Sequence, residues 1–299
     1  MKKRKKNISR EVGLEIASIC GRYFLKLEDL HYGYWTPDLP VDIGNLNKAQ
    51  QNYTELLISN LPDGVHTILD VGFGTGAVAR RLIERGHKVD AVSPSSFFAE
   101  QGRQLLGDQV NIFECRYEDV QTEKRYDLVL FSESFQYIHL ETALEKTWRL
   151  LNDGGYMLIC DVFRKETEGR RHQKGGHRLG KFRELMKDYP FEPLRDIDIT
   201  ELTAPTIDIL ADALNKVGEP VLRSGLRFFS ERYPIAFKLF TWKYRKQLTK
   251  ASQKYFNGER TGENFRKFKS YRLMLFRKAL AQQTTAAESL HRAPSNSAP

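Results

Sequence analysis

The chain has 299 residues, enough for one catalytic domain with insertions or at most two domains. A hydrophobic fraction of 40% fills a core, which excludes global disorder, and no apolar run reaches membrane-spanning length. The net charge of +9 is unevenly placed: from Val221 to Leu280, 16 Lys or Arg stand against 3 Glu, a net +13, interleaved with aromatics such as Phe228, Tyr233, Phe240, Trp242 and Tyr244. Such a stretch has three readings: a helical cap with snorkelling basic stems, a surface for an anionic membrane, or a nucleic-acid contact.

Residues 1–61 read as a basic leader and amino-terminal helices. Met1-Lys2-Lys3-Arg4-Lys5-Lys6 lacks the apolar segment of a signal peptide, so the chain is expected in the cytosol. Val12, Leu14, Ile16, Ile19, Tyr23 and Leu27 recur at broadly helical spacing, and 45–61 forms a further helix. From Val65 strands alternate with helices. Strands are expected at His66–Val71, Lys88–Val92, Val110–Glu114, Tyr126–Phe131 and Tyr156–Val162, the last after a turn at Asn152-Asp153-Gly154-Gly155. Helices are expected at Gly76–Arg85, Phe98–Leu106 and Glu141–Leu151.

This alternation predicts an α/β fold with a Rossmann-like, seven-stranded, mostly parallel sheet and helices on both faces. Its core is placed at 62–163. An insertion with a helical acceptor lid after strand five is placed at 164–268, with 164–190 read as mobile and strand six near 194–199. Helices are expected at Thr206–Val217 and Ser230–Tyr255. The last strand falls within 269–282, at Tyr271–Phe276, and 283–299 reads as a disordered tail. Cys20, Cys115 and Cys160 suit neither a disulfide framework nor a zinc site. His172 and His177 read as part of a solvated loop, so no metal is expected.

The chemistry centres on Ile68-Leu69-Asp70-Val71-Gly72-Phe73-Gly74-Thr75-Gly76-Ala77. A buried strand runs into alternating glycines and then a helix, which lets a ligand touch bare backbone at the carboxyl end of a sheet. The stretch Gly72-x-Gly74-x-x-Ala77 also fits a relaxed dinucleotide fingerprint. Asp70 separates the two readings: its carboxylate repels a pyrophosphate and suits a ligand bearing an ammonium and a sulfonium.

Asp-Val-Gly-Phe-Gly-Thr-Gly closely resembles the first motif of class I S-adenosylmethionine-dependent methyltransferases. Leu151-Asn152-Asp153-Gly154-Gly155-Tyr156 resembles that family's turn before strand five, and Tyr126-Asp127-Leu128-Val129 its strand four. His31-Tyr32-Gly33-Tyr34-Trp35 with Ala49-Gln50 resembles a subgroup holding tocopherol, sterol, ubiquinone-type and natural-product enzymes. The resemblance spans about residues 30–163.

The resemblance implies S-adenosyl-L-methionine as cofactor. It places Gly72, Gly74 and Gly76 along the methionine half, Asp70 at the amine, Tyr117 and Glu118 near the adenine, and Phe131 and Ser132 at the methionine or ribose. Tyr34 and Gln50 close over the cofactor from the amino-terminal side. The family's ribose-binding acid is absent: Ser93 takes its place, and Asp90 sits too early. Candidate bases are Glu133, Tyr137, His139 and His31, and Tyr137 stands where relatives often carry His.

Methyl transfer is an in-line displacement that asks the protein for alignment, water exclusion and sometimes a base. The sequence thus reads as an enzyme methylating a small, lipophilic metabolite at O, N or C, with peripheral contact to an anionic membrane as a further expectation. Two rival readings are a nucleic-acid methyltransferase using the basic aromatic segment and a non-catalytic cofactor-binding protein.

Overall fold

The computed structural model describes residues 2–166, 175–255 and 259–279; the side chains of 2–11 and 250–255 lie outside the description. Helix α1 (Lys2–Leu25) and α2 (Leu46–Ser59) precede the sheet. The core then alternates β1 (Thr67–Val71), α3 (Ala77–Glu84), β2 (Lys88–Val92), α4 (Ser96–Leu106), β3 (Ile112–Phe113), β4 (Tyr126–Ser132), α5 (Leu140–Leu150) and β5 (Leu151–Arg164). Helix α6 (Leu179–Leu185) leads to β6 (Phe191–Asp198). Helices α7 (Thr200–Thr203), α8 (Pro205–Ala213), α9 (Glu219–Arg232), α10 (Pro234–Tyr255) and α11 (Gly262–Phe268) precede β7 (Lys269–Lys278).

The strands form one seven-stranded sheet in the order β3-β2-β1-β4-β5-β7-β6. The first five pair in parallel, and β7 runs antiparallel to both of its neighbours. Side chains alternate across a strand, so each central strand feeds two cores. Ile68, Leu128, Leu158 and Leu273 meet Tyr53 and Leu57 of α2 and Leu82 of α3 on one face. Leu69, Val129, Ile159 and Met274 meet Leu144 of α5 and Phe182 of α6 on the other.

Several expected elements change. The expected amino-terminal helix forms as α1, and its stripe leaves Val12, Ile16, Ile19 and Tyr23 exposed. The third strand shortens from Val110–Glu114 to Ile112–Phe113, because only these residues pair with β2. The Asn152–Gly155 turn is absorbed into β5, whose pairing with β4 already starts at Leu151↔Tyr126. Within the supposed mobile insertion, α6 docks by burying Phe182, and Met186 just beyond it is buried too; His172 lies outside the described residues. Helices α7–α11 fill the stretch between β6 and β7, within the 164–268 insertion expected after strand five. The expected Ser230–Tyr255 helix is broken at Tyr233, because Pro234 has no N–H to donate. The Thr206–Val217 helix runs on through a wider π turn at Leu214–Gly218 into α9. Residues 283–299 lie outside the described residues.

An extended strap, residues 28–35, crosses the carboxyl end of the sheet. Thr75 Oγ donates to Glu28 O (2.6 Å) at one end of it. At the other, Tyr34 N donates to Ala49 O (2.8 Å), Trp35 N to Leu202 O (2.7 Å), and Trp35 Nε1 to Thr206 Oγ1 (2.9 Å). Gly33 fits because a Cβ there would stand 2.6 Å from that of Ala49. The strap thus ties α2 and α8 together over the glycine loop.

Candidate active site

Strand β1 carries Asp70 to the edge of the loop that follows it. Gly72 (φ 76°) and Gly74 (φ 56°) both hold the left-handed conformation that other residues resist. A Cβ on Gly72 would strike that of Ser134 at 2.5 Å, so the loop packs directly on the segment after β4. A Cβ on Gly74 would meet nothing within 4 Å, leaving a bare-backbone cradle. Gly76 opens α3 and faces Leu105 and Leu106 instead of the cradle.

Asp70 is 1% exposed, and its Oδ2 has no hydrogen-bond partner. Burial, helped by the nearby Asp29 carboxylate, pushes its pKa up to about 7. A buried carboxylate in this state is costly until a cation meets it. Gln50 Oε1 and Ser134 Oγ are likewise buried and unpartnered, although Gln50 Nε2 donates to His31 O (2.7 Å). These orphaned acceptors and the open Gly74 cradle fit a polar, cation-bearing cofactor.

Beyond β4, Glu133 takes an uncommon left-handed backbone (φ 56°), and its N–H reaches Cys160 O (2.9 Å). Its Oε1 accepts Tyr32 N–H (2.6 Å) and Tyr271 O–H (2.6 Å). Burial raises the Glu133 pKa, with His31, Tyr271 and the Tyr32 N–H opposing but not cancelling it. Tyr271 Oη also lies 3.1 Å from Tyr53 Oη, which contacts Ser132 Oγ (3.2 Å) and Cys160 O (3.3 Å).

His31 stacks on Tyr53 with ring centroids 4.2 Å apart. Its Nε2 lies 3.3 Å from Asp29 Oδ2 and 3.2 Å from Thr54 Oγ1. Burial works against a charged imidazole, but Asp29 first, then Glu133 and the Tyr32 carbonyl, outweigh it and raise the His31 pKa. Tyr32 packs its ring against Phe265 and Tyr271. The result is a polar chain, Asp29–His31 and Glu133–Tyr271–Tyr53–Ser132, set among aromatic rings.

Of the expected bases, Glu133 and His31 meet here, and two do not. His139 is 74% exposed on its side chain and pairs with Glu141 (3.0 Å), since it precedes α5 on the surface. Tyr137 is exposed at 56%. Among the expected cofactor residues, Asp70, Gly72, Gly74 and Gln50 surround the loop, and Tyr34 is fixed by its backbone to α2.

The Tyr117 side chain turns into the second core, its hydroxyl 2.8 Å from Thr147 Oγ1, so only its backbone can border a ligand. Phe131 is sealed beside it, ring to ring. Glu118 is half-buried. Ser93, buried at the end of β2, accepts Ser95 N–H (3.2 Å). Asp90 is taken up by Tyr126 Oη (2.8 Å) and Lys124 Nζ (2.9 Å), away from the loop.

Sequence reasoning missed Asp29, Tyr53, Tyr271 and Asp161. Asp161 is fully buried with a pKa raised to about 7 by burial; it accepts Gln136 N (2.9 Å) and Nε2 (2.8 Å) and so holds the segment after Glu133. Tyr271 sits in an ordinary strand, and only its antiparallel register, opposite Val162, aims it at Glu133.

Residues 68–155 match the family of methyltransferase domains. An uncharacterized methyltransferase of Geobacillus thermodenitrificans is 22% identical over 187 residues, covering 60% of this chain and 85% of that protein. The malonyl-[acyl-carrier protein] O-methyltransferase 1 of Ilyobacter polytropus is 33% identical over 107 residues, which is 34% of this chain and 40% of the relative. The [4+2]-cyclase SpnF superimposes with a TM-score of 0.62 at 17% identity, covering 91% of this chain and 96% of that one. A geranyl diphosphate methyltransferase in complex with GPP and sinefungin gives 0.61 at 20% identity, covering 89% and 93%.

At such identities the two structures speak to the fold alone, and a cyclase among them shows that this fold is not tied to one reaction. The family match over residues 68–155, the sheet order and the glycine loop agree with a class I S-adenosylmethionine-dependent methyltransferase domain. S-adenosylmethionine is the cofactor of that class.

Proposed function

We propose that this protein methylates a small, lipophilic metabolite, with Glu133 as the base. The observation that carries this reading is the half-buried Glu133 carboxylate, held by Tyr32 N–H and Tyr271 O–H within aromatic walls and beside the glycine loop. Burial raises its proton affinity, and the two donors hold Oε1 and so orient Oε2, the oxygen that would take the acceptor's proton. Tyr32, Phe265 and Tyr271 supply an apolar lining suited to a prenyl, polyketide or acyl-derived acceptor. Geranyl diphosphate, bound by one structural relative, joins an apolar prenyl chain of that kind to an anionic diphosphate.

Bound S-adenosylmethionine supplies the activated methyl group. Asp70 would hold its ammonium, the Gly74 backbone would lie along its methionine portion, and Ser93 would take the ribose position. The strap at His31–Trp35 excludes water from above, and Asp161 keeps the Glu133 segment in place through Gln136.

The test is calorimetric titration with S-adenosylhomocysteine, with NAD as comparison, followed by a labelled-cofactor screen of prenyl, polyketide and acyl acceptors. Micromolar or tighter binding of S-adenosylhomocysteine without NAD binding, and label on a lipophilic acceptor, is the expected result. Binding without turnover on any panel member would remove the catalytic reading, and no binding by folded protein would remove both.

A further inference from the structure

Helices α9 and α10 form an arm whose large apolar side chains face solvent. On α10, Ile235 (76% exposed), Leu239 (62%) and Trp242 (79%) recur at i, i+4 and i+7, which places them on one stripe. The opposite stripe meets α9, where the rings of Phe229 and Phe237 lie 6.0 Å apart. The outward stripe is thus not the one that joins the two helices. Lys238, Lys243, Arg245 and Lys246 flank it, and no Asp or Glu occurs from Pro234 to Tyr255. No helix among the described residues is long and apolar enough to cross a membrane.

We propose that α10 is a docking helix that lies flat on an anionic lipid surface, burying Ile235, Leu239 and Trp242 among acyl chains and setting the flanking cations against headgroup phosphates. The occupant has to be apolar and anionic at once and extended over the helix, which at 22 residues is about 33 Å long. A bilayer surface meets all three conditions, whereas RNA offers the charge but no partner for exposed Ile and Leu.

The arm also hangs from the roof of the active site. Gly262 N donates to Asp208 Oδ1 (2.7 Å), closing its base. On either side of that closure, Thr206 of α8 accepts from Trp35, and Phe265 of α11 packs on Tyr32. Docking would set the aromatic site beside the phase where a lipophilic acceptor dissolves, so the inference deepens the proposed function. It is tested without acceptor or turnover, which keeps the two failures distinguishable.

The experiment is flotation of the full chain with phosphatidylcholine vesicles, with and without phosphatidylglycerol, alongside tryptophan emission. Of the other two tryptophans, Trp35 is buried and Trp148 lies under Lys278 far from the arm in sequence, so a blue shift lost in Trp242→Phe reports insertion of the helix. The expected result is salt-sensitive flotation with phosphatidylglycerol and a blue shift. Leu239→Asp with Trp242→Asp should weaken partition roughly a hundredfold, with S-adenosylhomocysteine binding unchanged. Lys243→Glu with Lys246→Glu should remove the dependence on phosphatidylglycerol. Absence of flotation, flotation equal in the double-Asp variant, or an arm that instead mediates self-association or RNA binding would overturn the proposal.

Discussion

Replacing Asp70 by Asn separates what the site costs the empty protein from what it gives the bound one. The carboxyl group has an ordinary pKa of 3.8 and one of about 7 in the fold, raised by burial and then by Asp29. The folded state therefore binds this proton more tightly than the unfolded chain. Below pH 3.8 both states are protonated and nothing is lost. As pH rises from there the unfolded chain ionises first, so stability falls until the folded group ionises near 7. Above that the full penalty stands, about three units at 1.36 kcal/mol each, or about 4 kcal/mol.

Asn carries no charge, so Asp70→Asn should raise the melting temperature of the ligand-free protein at pH 8 by roughly 10 °C and leave it almost unchanged near pH 4. A ligand ammonium reverses the balance, because it favours the carboxylate. S-adenosylhomocysteine affinity should climb about tenfold per pH unit below 7 and level off above it. Titration at pH 6 in buffers of different ionisation enthalpy should show close to one proton released. Asp70→Asn should abolish that release and weaken binding roughly 10- to 100-fold, the worth of a charge-assisted hydrogen bond. Binding that is independent of pH, without proton release and equal in the variant, would refute the reasoning.

Glu133→Gln keeps an acceptor for Tyr32 N–H but loses the base, so turnover should drop about 10²- to 10⁴-fold in steady-state assays with cofactor affinity unchanged. Tyr271→Phe removes a hydrogen bond that lowers the Glu133 pKa, so the acid limb of the pH–rate profile should move to higher pH. Gly74→Ala puts a methyl group into the open cradle at a φ of 56°, which should cost about 1–2 kcal/mol in urea unfolding and more than tenfold in S-adenosylhomocysteine affinity by calorimetry. Phe182→Ala empties a fully buried site between the rings of Phe163 and Phe276, and chemical denaturation should show a loss of about 3–5 kcal/mol.

Legibility followed the range of the interactions. Strand β2 was expected at Lys88–Val92 and is found there, because a short apolar run between two breaks carries its own signal. Strand β5 began earlier than expected, because Gly155 packs against backbone of β4, where a Cβ would stand 3.2 Å from Asp127 O. That contact belongs to two strands and has no trace in either alone. The exposure of His139 was equally invisible: a His six residues after Glu133 points outward once α5 begins after it.

The sequence by itself determined the class of fold and the glycine loop, since a buried strand, spaced glycines and a following helix are local chemistry in consecutive residues. It also singled out Asp70, Glu133 and His31 by residue type and position in the motifs. Only the tertiary structure decided what surrounds them. Asp29 arrives on the strap, Tyr53 on α2 and Tyr271 on an antiparallel strand 138 positions from Glu133. Their convergence follows from sheet register and strap path, which are set by packing across the whole chain and leave no periodicity in any one segment.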